Sequence, residues 1–323
     1  MAVEEAGVTS HRIGPASYLQ RRSIKVGLHL PVCEPMMSGQ TLRWADLLEI
    51  ARFAEDVGFD SLWVADHLLF RSDGTIEGAW ECWSVLTALA AATTRVELGP
   101  LVCCVPFRNP ALVAKMADTV DEISGGRLIL GLGAGWNAAE FRAVGAPFDH
   151  RVGRFAEGLH IIHTLLKDGA IDFTGQYFAA RECELKPRGL RAKGPPIMIG
   201  AVAHRQRMLR LVAQYADLWN GYFVQPEPPP LAQWKMAIDS ACTAAGRDPT
   251  SLERTLLVRI DVLGMEGRPL GHRAHLSGSP QDLAHAIQGY SREGITHLQV
   301  WLHPNTLAGI EAFAPVLDLL DQG

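Results

Sequence analysis

FRNPALVAKMADTVDEISGGRLILGLGAGW, residues 107–136, contains a whole helix, its stop and the strand that follows, and its reading decides the rest. Asn109 offers a side-chain oxygen to the unpaired N–H groups of a helix start, and Pro110 arrives with φ already set for a first turn. The helix is expected over 111–123, Gly125-Gly126 ends it, and an apolar strand runs over 127–132. Toward the N-terminus the same alternation recurs. A strand at 24–30 precedes a helix opening at Thr41, whose Trp44, Leu47, Leu48, Ala51 and Ala54 keep helical spacing up to Gly58. Then come a short strand at 61–65 ending in Asp66-His67, an alanine-rich helix at 80–93 and a strand at 96–105. Toward the C-terminus a longer section, 135–195, holds a helix at 155–167 and a hairpin around Thr174-Gly175. Beyond it the pattern resumes with strands at 196–200, 216–220, 255–263 and 296–302. The intervening helices lie at 205–215 and 231–245, behind a Ser279-Pro280 cap with Asp282, and at 308–320.

The strands are almost wholly apolar, as expected where both faces of a parallel sheet are covered. About eight strand and helix units fit a closed (β/α)8 TIM barrel, whereas a doubly wound sheet needs fewer. The fold class is therefore α/β, one barrel domain over 23–323 with a long section after the fourth strand, preceded by a loosely held tail over 1–22. The proline-rich 225–230 reads as a loop before a helix rather than a linker.

The 323 residues, 48% apolar and 20% charged, suffice for a large core. With 30 basic against 35 acidic residues the net charge is -5, which supplies no field for a phosphate backbone or an anionic bilayer. Nucleic acid and membrane are thus not expected partners. Six cysteines without a C-x-x-C pair read as reduced, buried thiols. The first residues lack the apolar centre of a secretory signal, and the expectation is a cytoplasmic protein.

In a parallel barrel the chemistry gathers at the C-terminal ends of strands. His29, Asp66-His67, Cys103-Cys104, the run from Gly133 through Gly135 and Trp136 to Asn137, and Trp301 with His303 all fall there. Asp66-His67 suits acid/base work or hydrogen bonding to a cofactor ring, against a reading as a turn-capping Asp beside an exposed His. Gly131, Gly133 and Gly135 do not make a dinucleotide fingerprint, because its third glycine would fall on Trp136. They read as close packing and a tight turn. A metal-dependent hydrolase would want two alternating histidines on the first strand, where only His29 stands, and further ligands at Gly200 and Asn220, with His204 a loop away. Cys103 and Cys104 have no obvious base nearby and read as packing residues. Trp136 suits either stacking on a planar cofactor or closing the barrel mouth.

SLWVADHLL (61–69), ALAAATTRVELGPLV (88–102), FRNPALVAKMADTVDEISGGRLILGLGAGWNAAEFRAVG (107–145), PPIMIGA (195–201) and RMLRLVAQYADLWN (207–220) together make the chain resemble the luciferase-like family of flavin and deazaflavin monooxygenases and oxidoreductases. SGSPQDLAHAIQGYSREGITHLQVWL continues the likeness weakly. The resemblance implies a barrel with an insertion after the fourth strand, where 135–195 lies. It implies a branch using coenzyme F420, with Asp66 and His67 at the deazaflavin, His67 the catalytic group. A bulge with a non-proline cis peptide around Leu101, Val102 and Cys103 would support the ring. Gly200 and Ala201 would offer backbone amides to the cofactor phosphate, and Asn220, Gly135 and Trp136 would lie near the same pocket. Sugar-phosphate dehydrogenases of the family carry a glutamate at the position of Trp136, so their sugar substrate does not transfer. The pattern from Gly135 to Glu140, Gly-Trp-Asn-x-x-Glu, points instead to F420 members of open substrate. The expectation is hydride transfer to an unidentified small organic molecule, with His67 giving or taking a proton. The alternative is a monooxygenase using reduced FMN and oxygen, and a flavin-binding barrel without catalysis or a metal hydrolase stands further off. For assembly the expectation, from relatives that are often dimers, is a homodimer with the apolar helix at 80–93 as part of its interface, and no metal is expected at the site.

Overall fold

The computed structural model describes residues 22–37, 39–72, 74–202, 205–222, 230–262 and 276–323. The barrel strands are β1 (Lys25–His29), β2 (Ser61–Val64), β3 (Glu97–Pro100, resumed at Cys103–Cys104), β4 (Leu130–Gly133), β5 (Ile197–Gly200), β6 (Leu218–Tyr222), β7 (Glu253–Asp261) and β8 (His297–His303). All neighbours pair in parallel, in the spatial order β3, β2, β1, β8, β7, β6, β5, β4 and back to the Cys103–Cys104 half of β3. A parallel bridge between Leu98 and Leu128 closes the ring at its lower end.

Period-two alternation sorts each strand into two faces. On β1, Val26 and Leu28 are fully buried within the main core, the shell between strands and helices. Inside the barrel Trp63 packs with Ile129, Met198 and Leu218 as a separate cluster. Its indole fits because the flanking strands carry glycine beside it: a β-carbon on Gly27 or Gly99 would run into the Trp63 ring. The indole Nε1 donates to Ser61 Oγ at 2.7 Å, and Ser61 Oγ in turn lies 2.7 Å from His297 Nε2. A polar layer thus closes the interior below the tryptophan.

The outer helices are α1 (Trp44–Asp56), α2 (Cys82–Ala92), α3 (Pro110–Ile123), a short α4 (Ala138–Ala143), α5 (Arg151–Asp168), α6 (Gln206–Tyr215), α7 (Leu231–Ala244), α8 (Pro280–Arg292) and α9 (Leu307–Gln322). Asn109 caps α3 by accepting from the N–H groups of Ala111 and Leu112 at 2.9 and 3.3 Å. Ser279 and Asp282 form a reciprocal capping box on α8. Thr41 does not open α1: its hydroxyl is bound to the Glu34 carboxylate, and the helix starts behind Arg43, whose N–H meets Asp46. The single strand expected over 96–105 is broken, with a cis peptide joining Leu101 to Val102 between its halves. The long section after β4 contains α4, α5 and the expected hairpin, Ala170–Thr174 against Ala179–Glu184. Glu157 of α5 fixes the hairpin turn by accepting from the N–H groups of Gln176, Tyr177 and Phe178. A second hairpin, Leu69–Ser72 against Thr75–Gly78, follows β2 and was not legible in the sequence.

The tail over 1–21, His204, most of the 225–230 loop and Leu263 lie outside the described residues. Among the described residues no helix is long and apolar enough to cross a membrane.

Candidate active site

The C-terminal mouth of the barrel gathers side chains that are far apart in sequence. His67 follows β2 with its side chain 22% exposed, and its Nδ1 lies within hydrogen-bond distance of Glu140, 3.1 Å from Oε1 and 3.0 Å from Oε2. Glu140 sits in the first turn of α4 and is buried. Its Oε1 also accepts from the N–H groups of Leu68 and Leu69, at 2.6 and 3.2 Å. Burial acts to raise the Glu140 pKa, but the hydrogen bonds from His67, Leu68 and Leu69 outweigh it and hold the carboxyl below the usual range.

Local sequence places this carboxylate. Asn137 caps α4 by accepting from Ala139 N–H at 3.1 Å and ties the helix to the loop after His67 by donating to Leu69 O at 3.2 Å. Gly135, at φ +72°, makes the turn into that cap, and a β-carbon there would strike Cys104 Sγ and the Phe141 ring. Trp136 stands between them, 65% exposed, with its ring centroid 5.6 Å from that of His67 in an edge contact. Phe70 also packs against the imidazole, with ring centroids 4.7 Å apart. Trp136 therefore stands at the mouth, while the close-packing reading of Gly135 also holds.

Asp66 adjoins His67 in sequence and differs from it in surroundings. Its side chain is fully buried; Oδ1 accepts from Arg108 Nη2 at 2.8 Å, and Oδ2 from Arg108 Nη1 at 2.7 Å and Cys104 N–H at 2.8 Å. Both oxygens are thus committed within the protein, and the residue ties the end of β2 to the chain leaving β3. Arg108 reaches Glu81 as well, at 2.9 Å. Cys103 and Cys104 are buried behind this pair, and burial pushes both thiols up, which removes thiolate chemistry at neutral pH.

Leu101 and Val102 pack against the interior cluster around Trp63. Val102 occupies the place of a β-carbon on Gly133 and lies 3.3 Å from one on Gly200, while a β-carbon on Gly131 would strike Pro100 O, so the glycines of GLGAG make room for the neighbouring chain. Gly200 ends β5; the N–H of Ala201 is taken up by Asn220 O at 3.1 Å. Asn220 is buried and turns its amide inward, donating to Thr255 Oγ1 at 2.9 Å and Gln299 Oε1 at 2.8 Å.

Sequence reasoning noted His29 and Trp301 without giving them a role, and it missed Glu140, Arg108 and Gln299 as site groups. His29 is buried, and desolvation, with the charges of His67 and Arg259, pushes its pKa down to about 3. It is neutral at any working pH. Its ring lies 5.5 Å from that of Trp301, which in turn carries the Arg259 guanidinium 4.0 Å from its centroid. His29 Nδ1 and Gln299 Nε2 are buried polar atoms without a hydrogen-bond partner among the described residues. Among the described residues no group of three His, Cys, Asp or Glu side chains converges as a metal site.

A family model described as luciferase-like monooxygenase matches residues 24–262. The chain is 30% identical over 222 residues to 5,10-methylenetetrahydromethanopterin reductase of Archaeoglobus fulgidus, an alignment covering 68% of this chain and 61% of that protein. It is 34% identical over 206 residues to 4-hydroxyprotoasukamycin monooxygenase of Streptomyces nodosus subsp. asukaensis, covering 61% of this chain and 53% of that one. The match thus spans less than two thirds of these curated relatives. Among solved structures, an F420-dependent secondary alcohol dehydrogenase in complex with an F420-acetone adduct superposes with a TM-score of 0.74 at 20% identity, covering 92% of this chain and 99% of that one. That likeness establishes the barrel architecture.

Proposed function

The chain belongs to the luciferase-like monooxygenase family, and from that premise we propose that it is an oxidoreductase that uses coenzyme F420 to exchange hydride with a small organic molecule. The observation that carries the reading is the His67 imidazole: partly exposed at the barrel mouth, with Nδ1 engaged by a buried carboxylate and its ring flanked by Phe70 and Trp136. Such a group moves a proton while the cofactor handles the electrons.

The residues of the mouth fit a planar heterocycle with carbonyl and N–H edges. Gly133 and Gly200 flank Val102 without side chains of their own, and His29 Nδ1, buried at the end of β1 without a partner among the described residues, is the kind of atom such an edge satisfies. Leu101, Val102 and Cys103 would support the ring, and the turn at Gly200 would meet the phosphate; the Ala201 N–H, taken up by Asn220 O, would not serve there. Trp136 and Gly135 would border the substrate side. Asp66 and Asn220, whose polar atoms are engaged inside the protein, would act by holding the loops in place.

When bound, F420 supplies a carbon centre that gives or accepts hydride. His67 gives or takes the accompanying proton, Phe70 and Trp136 limit water around it, and the neutral His29 contributes hydrogen bonding without charge. A second reading, favoured by the likeness to the Streptomyces monooxygenase, has reduced FMN and oxygen in the same mouth. The two separate by oxygen dependence. Protein mixed without oxygen with reduced F420 and a panel of ketones and aldehydes is expected to reoxidise the cofactor, and reoxidation only when oxygen is admitted with FMN would favour the second reading. The free cysteines suit the cytoplasmic setting that we propose for it.

A further inference from the structure

We propose that Glu140 is a positioning residue that fixes His67 in the tautomer protonated at Nδ1, so that Nε2 is the nitrogen that exchanges a proton with substrate. The inference deepens the reading of His67 as the proton-transfer group and rests on it for its catalytic consequence.

An ionised carboxylate only accepts, and Glu140 has three N–H groups aimed at it: Leu68 and Leu69 at Oε1, and His67 Nδ1 within 3.1 Å of both oxygens. The hydrogen bonds hold the carboxyl below its usual range, which keeps it ionised at neutral pH. Nδ1 must therefore carry a hydrogen in the neutral ring. The lone pair is left on Nε2, which has no partner among the described residues, in a ring that is 22% exposed at the side chain and in contact with Trp136 and Phe70. The same carboxylate grips the backbone just after His67, so ring and loop are fixed together. A base oriented by a third group in this way is a recurring arrangement of proton-transfer sites. Asn137 completes it by capping α4 and bracing Leu69 O.

Glutamine at position 140 keeps the shape but presents one acceptor oxygen and an NH2 donor to three N–H groups. At least one donor then faces a donor, and the ring is free to flip or change tautomer. The test uses the whole protein labelled with nitrogen-15 in histidine, the His67 signals being those lost in His67→Gln. In the native protein His67 is expected to show a protonated Nδ1 and an unprotonated Nε2 at mildly basic pH. In Glu140→Gln this pattern is lost or mixed. With F420 loaded, kcat falls roughly tenfold to a hundredfold while KM and F420 affinity stay within about threefold. Thermal melting of Glu140→Gln and of Glu140→Ala identifies any variant that fails to fold, and the nitrogen spectrum of the native protein decides in that case. A native His67 protonated at Nε2, or a Glu140→Gln protein with the native tautomer and full turnover, overturns the proposal. The spectrum needs no cofactor, so a failure to bind F420 would sink the proposed function and leave the positioning role standing.

Discussion

Arg108 holds both oxygens of Asp66, Nη1 on Oδ2 at 2.7 Å and Nη2 on Oδ1 at 2.8 Å. The paired fork lies behind the active mouth and fixes the strand end from which His67 projects. Removing one partner leaves a charge buried without its counterion, so Arg108→Met is expected to destabilise the fold by about 3–5 kcal/mol. Urea denaturation of the variant checks this; a loss below about 1 kcal/mol would mean that the pair contributes little beyond its surroundings.

On the proposed reading His67 handles the proton and not the grip on the cofactor. His67→Ala is expected to leave F420 affinity within about tenfold and to lower turnover by roughly a hundredfold or more. Steady-state kinetics beside a binding titration separates the two, and undiminished turnover would remove the acid/base role.

At Gly200 the expected effect is the reverse. A β-carbon there already comes within 3.3 Å of Val102, so Gly200→Leu crowds the place proposed for the cofactor. Cofactor affinity should fall by more than about tenfold while the melting temperature drops only a few degrees. Intact affinity would move the cofactor away from this turn.

Two buried histidines make stability fall in mild acid. Burial pushes both His29 and His297 down to about 3, with His67 and Arg259 adding to the effect at His29 and Lys25 at His297. Below about pH 6.5 the unfolded chain binds protons that the folded chain refuses, so stability declines as the pH drops from about 6.5 toward about 3. Denaturation midpoints at about pH 7.5, 6 and 5 should decrease in that order, and His29→Gln should flatten the slope. A flat wild-type profile would show that neither ring is held neutral by the fold.

The sequence was most legible where structure is local. Asn109 and Ser279 with Asp282 announce their helices, and the turn after Thr174 lies where the glycine put it. The barrel followed from the succession of such units. What stayed hidden depends on pairings across long stretches of chain. VELGPLVCCV reads as one apolar strand, and nothing in its pattern marks the break between Leu101 and Val102; the family likeness alone suggested it. Asp66 looked like a chemical group because its partner Arg108 lies 42 residues away, inside a segment legible only as a helix start. Glu140 stood in plain view within GWNAAE, yet its role depends on His67, 73 residues earlier.

The central claim is that the mouth holds a deazaflavin. Equilibrium titration of the purified protein with F420 and separately with FMN, each oxidised and reduced, followed by cofactor fluorescence, tests it most directly. The account predicts micromolar or tighter binding of F420 and much weaker binding of FMN in either state. Preference for reduced FMN, or binding of neither cofactor, would contradict it.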